Sequence, residues 1–238
     1  MEAKLTDLVN RLKSSAHDNL KAVILYGSAV SGEFREGHSD LNVLCLVNAA
    51  SANDLEHLHS VAEWWTRQGN AAPLIFTLDE LHRASDVFSI ELLDIKAHHR
   101  VLYGDDFLAN FEVPLRLHRI QVERELRSSV IRLRQGIVAA PLSNRDHLGL
   151  MTQSVSVFCS LFRHAVIAMG NPAPTSKREA VTTVAAITGA DPSAFHAVLD
   201  FREGKRKSSA IDVEASLHAY LEFVEVVTNE VDRRLDAV

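Results

Sequence analysis

Cysteine is almost absent. The chain has two, Cys45 and Cys159, and both lie inside apolar runs. Thiols in such settings read as buried and reduced, so a disulfide framework is excluded as a source of stability. Ten glycines and six prolines in 238 residues are few. No internal repeat and no low-complexity segment occurs. No uninterrupted apolar run approaches the roughly 18 residues that suggest a membrane span. The first residues, MEAKLTDLVNRLKSS, place Leu5, Leu8 and Leu12 on one helical face and charges on the other. That is an amphipathic helix rather than the apolar core of a signal peptide. A cytoplasmic protein is expected by elimination. An excess of positive charge is also missing: the net charge is -6 and the pI about 6. Bulk attraction to nucleic acid or to an anionic membrane is therefore not expected.

Metal-ligand spacing is missing as well, although there are twelve histidines. His57 and His59 are two apart on a helix and do not share a face. His98 and His99 are adjacent and diverge, and no His/Cys cluster has zinc spacing. The basic run Arg202, Lys205, Arg206 and Lys207 carries no interleaved aromatics, so it reads as a solvated loop rather than a nucleic-acid surface.

The composition that remains, 47% hydrophobic and 24% charged, is that of an ordinary globular protein large enough to bury a sizeable core. Periodicity predicts a helix over 3–16, a strand over 22–26, a helical turn over 29–33, and a second strand over 41–47. A helix then opens at Ser51 with a capping-box signature to Asp54 and ends at Gly69. Its inward face is expected to hold Leu55, Leu58, Ala62 and Trp65, with Trp64 off that stripe. PLIFTL (73–78) reads as a third strand. Short helices over 81–84 and 90–97 and a short strand or turn over 99–104 complete a small α/β unit.

No convincing strand follows Pro114. Leu117, Ile120, Leu126, Val130, Leu133 and Ile137 predict a helix to about 139, and a second helix spans about 145–169. Ser176 and Glu179 form a capping box for a third helix, Asp191-Pro192 opens a fourth, and residues 211–235 form the last. This is an antiparallel helical bundle. The expected division is an α/β domain over 1–110 and a helical domain over 111–238, with the boundary near 108–114.

The stretch Lys21–Val47 carries the chemistry. A strand that ends in Gly27-Ser28 and enters a helical turn presents backbone N–H groups and a hydroxyl to an anion, and glycine permits close approach. Asp40 and Asn42 are two apart on a strand, so their side chains share a face. Two carboxylates there would bridge a pair of divalent cations about 3.5–4 Å apart, which clamp both oxygens of an in-line phosphoryl displacement. Magnesium favours such oxygen ligands.

These residues resemble the nucleotidyltransferase superfamily that includes DNA polymerase beta, and in particular its small members, such as kanamycin nucleotidyltransferase and the minimal nucleotidyltransferases. In that family Gly-Ser is followed by a loop and then by Asp-x-Asp in a strand. Here Gly27-Ser28 is followed by eleven residues and then Asp40-Leu41-Asn42, with Gly32 and Ser39 also matching. The resemblance implies an α/β (α+β) nucleotidyltransferase-like domain with a mixed sheet, followed by an all-α bundle. It implies transfer of a nucleoside monophosphate from a triphosphate, ATP foremost, to the hydroxyl of a small-molecule acceptor, with Mg2+ or Mn2+ as cofactor. Gly27, Ser28 and Ser39 would hold the phosphates, and Asp40 and Asn42 would be the catalytic metal-binding pair. No nucleic-acid or membrane partner is implied, and homo-oligomer formation stays open.

Two departures support an alternative. Asn42 stands where the second aspartate is expected, and the strand PLIFTL contains no third carboxylate. Asp79 and Glu80 lie just past it, and Glu91 and Asp94 further on. An arginine expected soon after Gly-Ser is replaced by Val30-Ser31-Gly32, with Arg35 as a distant substitute. The alternative is a catalytically silent protein of the same fold that acts in nucleotide binding, regulation or oligomerisation.

Overall fold

The computed structural model describes residues 1–32, 40–140 and 143–235. Ser39 and Arg35 fall outside these. The chain divides into two compact units, Met1–Pro114 and Leu115–Val238.

The first unit runs α1 (Glu2–Ala16), β1 (Leu20–Tyr26), α2 (Ser28–Ser31), β2 (Asn42–Val47), α3 (Ala52–Thr66), β3 (Leu74–Thr77), α4 (Leu78–Ala84), α5 (Ser89–Ala97) and β4 (His99–Tyr103). The four strands form one mixed sheet in the order β3-β2-β1-β4. β1 is antiparallel to β2 and to β4, while β2 is parallel to β3.

Side chains alternate across the central strands, as a sheet requires. Val23, Leu25, Leu41, Val43, Cys45 and Val47 pack with Leu5, Leu8 and Leu12 of α1 and Leu58, Val61 and Trp65 of α3. Ala22, Ile24, Leu44 and Leu46 face the other way and pack with Leu81 of α4, Leu92 and Ile95 of α5, and Leu108 and Phe111. Both faces are thus covered, which explains why β1 and β2 read as continuous apolar runs rather than alternating ones. Cys45 lies in this core, and burial pushes its thiol up to about 12. It is inert there, and the buried Cys159 likewise forms no disulfide. Gly104, with φ +80, ends β4 against β1; a Cβ at that position would sit 2.0 Å from the Lys21 carbonyl oxygen.

Local signals were accurate at α3, where Ser51 and Asp54 form the reciprocal capping box. The inward stripe differs from expectation. Leu55 is exposed and Ala62 half-buried; Val61 takes the buried place between Leu58 and Trp65. Trp64, off the stripe, lies under the Arg11 guanidinium, 4.3 Å from the ring centroid, an arrangement that the ring quadrupole favours.

The second unit is helical: α6 (His118–Ala139), α7 (Asn144–Ala168), α8 (Lys177–Thr188), α9 (Ser193–Arg202) and α10 (Val213–Leu235). Its core is an aromatic cluster. Phe195 stacks on Tyr220 with centroids 4.0 Å apart, and Phe158, Phe162 and Phe223 meet them edge-on or tilted. The Tyr220 hydroxyl reaches Ser154 Oγ at 3.0 Å, so the polar end of the ring is satisfied. α7 is long and apolar enough to cross a membrane by length and composition, and half of the relevant window is buried within the fold.

Two expectations are corrected here. Ile120 points outward, and the buried stripe of α6 is His118, Val122, Leu126, Ser129, Val130 and Leu133. Polar residues at two of these positions hid the stripe from a hydrophobic count. The capping box of α8 is half formed: Ser176 accepts from the Glu179 N–H, but the Glu179 carboxylate accepts from the N–H and hydroxyl of Thr175 instead.

His118 of α6 and His164 of α7 are both buried, with ring centroids 5.2 Å apart in an edge contact. Burial, and then the charge of His164, push His118 down to about 4, against an opposing hydrogen bond to the His164 backbone. The unfolded chain takes up this proton near pH 6.5. Above pH 6.5 both states are neutral and stability is fully present; between 6.5 and 4 only the unfolded state binds the proton, so stability is lost. A deficit of about 2.5 kcal/mol is expected at pH 4.5. Urea unfolding at pH 7.5 and 4.5 should show it in the native chain, and the deficit should shrink by about that amount in His118→Gln.

Candidate functional site

The site forms where β1 ends and β2 begins. Gly27 follows Tyr26 with φ 78 and ψ -146, a backbone region essentially restricted to glycine. Its N–H donates to the His98 carbonyl at 3.3 Å, and its own carbonyl accepts from the N–H groups of Val30 and Ser31, each at 3.0 Å. These bonds turn the chain from strand into α2, whose first residue is Ser28. Gly32 closes α2 in the left-handed conformation. The N–H groups of Ser28 and Ala29 lie in the first turn, where a helix offers no internal acceptor.

Across the strand pair, Tyr26 stands opposite Asn42. The Asn42 amide lies over the glycine: a Cβ on Gly27 would meet Asn42 Nδ2 at 3.5 Å. The same Nδ2 donates to Asp40 Oδ1 at 3.4 Å. Gly27, Asn42 and Asp40 are therefore brought together, as the two-residue spacing predicts. Asp40 is exposed. Tyr26 lies close enough that its hydroxyl pKa is raised, first by burial and then by the Asp40 charge.

The orientation of this pair is fixed by the residue between them. Leu41 is buried on the α1/α3 face, so Asp40 and Asn42 project to the opposite face. Its N–H donates to Asn70 Oδ1 at 3.0 Å, and Asn70 Nδ2 donates in turn to the Trp65 carbonyl at 3.3 Å. Asn70 is a positioning residue that sequence reasoning missed. Its signal is an amide directly after Gly69, which terminates α3 with φ +84.

The other acids lie elsewhere. Glu80 belongs to the capping box of α4. Its carboxylate accepts from the Thr77 N–H at 2.9 Å and the Thr77 hydroxyl at 3.0 Å, and these hold its pKa below the usual range. Asp79 is exposed in the first turn of α4, Glu91 is exposed in the first turn of α5, and Asp94 is half-buried in α5. Among the described residues no group of three His, Cys, Asp or Glu side chains is gathered that holds a metal ion. A donor set of one carboxylate and one amide does not fit a bridged pair of divalent cations. It fits one magnesium ion whose remaining ligands are substrate phosphates and water.

No family model matches the chain, and no curated protein matches it. Among solved structures, it is similar to the spectinomycin adenyltransferase AAD(9) from Enterococcus faecialis, crystallised with ATP and spectinomycin. Identity is 15%, the TM-score is 0.57, and the match covers 94% of this chain and 99% of that one. The chain therefore has the fold of a polymerase-beta-type nucleotidyltransferase with a helical C-terminal region.

A side chain at position 27 would have to adopt a disfavoured backbone conformation, with φ +78, while a Cβ there would lie at ordinary contact distance, 3.5 Å, from the Asn42 amide. Gly27→Ala is expected to cost about 1–3 kcal/mol of stability. Chemical denaturation of the variant measures it, and Gly149→Ala in an open helical position provides the contrast.

Proposed function

We propose that this chain is a divergent nucleotidyltransferase that moves a nucleoside monophosphate from a triphosphate, with ATP the first choice, to the hydroxyl of a small-molecule acceptor. The observation that carries the reading is the meeting of Gly27, Asn42 and Asp40 at one end of the sheet, in a fold shared with an adenyltransferase whose structure contains ATP and a small acceptor.

The geometry supports the following roles. The turn at Gly27 leaves room for a phosphate against the backbone, and the Ser28 N–H and hydroxyl supply donors to it. Ser39, which the family resemblance adds to this set, would act on the same phosphates. Asp40 supplies the negative charge of the cation site, and Asn42 supplies an amide oxygen once its side chain turns. One magnesium or manganese ion, when bound, neutralises phosphate charge and polarises the bond under attack. Asp79 and Glu91 are the candidates for a further acid and are the weaker part of the assignment. The division of labour places nucleotide binding in residues 1–110 and leaves the helical residues 111–238 to the acceptor. A cytoplasmic setting accords with an ATP substrate.

A second reading has its own observation. The Asn42 amide donates to Asp40, so the pair is electrostatically satisfied with no cation present. This supports a nucleotide-binding protein of the same fold that has lost transfer and acts in regulation or oligomerisation.

Titration with ATP, GTP, CTP and UTP, with and without Mg2+ or Mn2+, separates the readings. Metal-dependent binding of a triphosphate, reduced at least tenfold in Asp40→Asn, is expected for the transferase; the loss of one charge-assisted ligand accounts for about that factor. Binding indifferent to metal supports the second reading, and failure to bind any triphosphate sinks both.

Asn42→Asp restores the missing charge. It should strengthen the dependence on Mg2+ and raise transfer to an acceptor mixture at least tenfold, read by pyrophosphate release. In the metal-free state the same change puts two carboxylates side by side and should lower Tm.

A further inference from the structure

A hollow of about 720 Å3 opens in the helical unit between the first half of α7, the end of α9 and the segment that leads into α10. This volume lies within the range of small-molecule sites, about 300–1,000 Å3. Every lining residue falls between Asn144 and Val213, so the hollow is built by this unit alone and shares nothing with the Gly27–Asp40 site. Leu148, Phe201 and Ile211 supply apolar surface, and Gln153, Ser208 and Ser209 supply amide and hydroxyl groups beside it. Arg145 is the single charged side chain of the lining.

Two observations indicate that this space is kept for a ligand. The first is Gly149, inside α7 and on the wall of the hollow. A glycine in a helix interior weakens the helix, and one there usually answers a packing demand. Gly136 of α6 does so: a Cβ at that position would lie 2.6 Å from Leu150 Cδ1. Gly149 answers none, because a Cβ there meets nothing within 4 Å, and its φ is not in the left-handed range. What its missing side chain preserves is the volume itself. The second observation is the set of donors. Among the described residues, the exposed side chains of Arg145, Gln153, Ser208 and Ser209 take part in no hydrogen bond or ion pair within the chain, so a ligand in the hollow would compete only with water for them. Thr152 differs, since its hydroxyl donates to the Leu148 carbonyl at 2.7 Å.

We propose that this hollow is a second ligand site that takes a small amphipathic anion. An aromatic or alicyclic body lies on Leu148, Phe201 and Ile211, a carboxylate, sulfonate or phosphate meets Arg145, and hydroxyl or carbonyl groups are read by Gln153 and Ser208. An anionic group gains a charge-assisted contact with the exposed Arg145 guanidinium that an uncharged ligand lacks.

The test uses the full chain and two fluorescent probes of similar shape, anilinonaphthalene sulfonate and uncharged phenylnaphthylamine. The sulfonate is expected to bind saturably at one site and the uncharged probe about tenfold more weakly, the difference contributed by a charge-assisted contact. Gly149→Leu fills the hollow and should abolish sulfonate binding while Tm stays level or rises. Arg145→Gln should bring the sulfonate down to the level of the uncharged probe. Ala62→Leu fills a separate apolar hollow of about 490 Å3 beside α3 and should change nothing. The proposal is overturned if the sulfonate does not saturate, if both probes bind equally, if Gly149→Leu leaves binding intact, or if Ala62→Leu abolishes it. Should Gly149→Leu fail to fold, the comparison of the two probes on the native chain and on Arg145→Gln still decides.

Discussion

The register of β1 against β2 is the constraint on which the first unit depends. Leu25 lies opposite Val43 and Tyr26 opposite Asn42. Because side chains alternate, a slip of one residue would turn Leu41, Val43 and Cys45 out of the α1/α3 core and drive Asn42 into it. Both faces are apolar, so what opposes the slip is the burial of the Asn42 amide and the misfit of every β2 side chain in the opposite core. The end of the strand is pinned separately by the Asn70 amide on the Leu41 N–H. Asp40 and Asn42 therefore point away from the α1/α3 layer whether or not anything is bound to them. The site is a by-product of packing in its placement and is specific only in its chemistry.

That chemistry is one of reduced charge. Two carboxylates at positions 40 and 42 would repel each other in the absence of cations and would gain much of their stability from metal. With Asn42, an amide donates to the remaining carboxylate, and the strand end is satisfied without a metal. The cost is affinity for dications, because one negative charge is gone and an amide oxygen does not bridge. The glycine turn at residue 27 and the amide–carboxylate pair beside it are the features on which the proposed phosphate and cation roles rest.

The helical unit is organised differently. Its aromatic cluster around Phe195 and Tyr220 is close-packed, and α7, which contributes Phe158 and Phe162 to it, also carries His164 against His118 of α6. The hollow beside α7 lies against this rigid interior. Helix α7 and the segment between α9 and α10 form its walls, and the missing side chain of Gly149 adds to its volume at a modest cost in helix stability.

The sequence by itself determined the elements and their kind. Continuous apolar runs, the first ending at Gly27, marked β1 and β2, Ser51 with Asp54 marked the start of α3, and the change at Pro114 preceded an all-helical half. It also determined that Gly27, Ser28, Asp40 and Asn42 were the residues to watch, because Gly-Ser at a strand end, the length of the loop after it and the polar pair on the next strand together resemble the nucleotidyltransferase pattern. It misplaced Leu55, Ala62 and Ile120, because periodicity counts apolar residues and cannot tell which of two adjacent stripes a partner will cover. Only the tertiary structure decided that the Asn42 amide lies over Gly27 and binds Asp40, that Asn70 locks Leu41 across 29 residues of chain, and that Gly149 faces open space. The contacts of Asn42 with Gly27 and of Asn70 with Leu41 join segments distant in sequence, and the rotamer that points the Asn42 amide at Asp40 is chosen by that packing rather than by any local pattern.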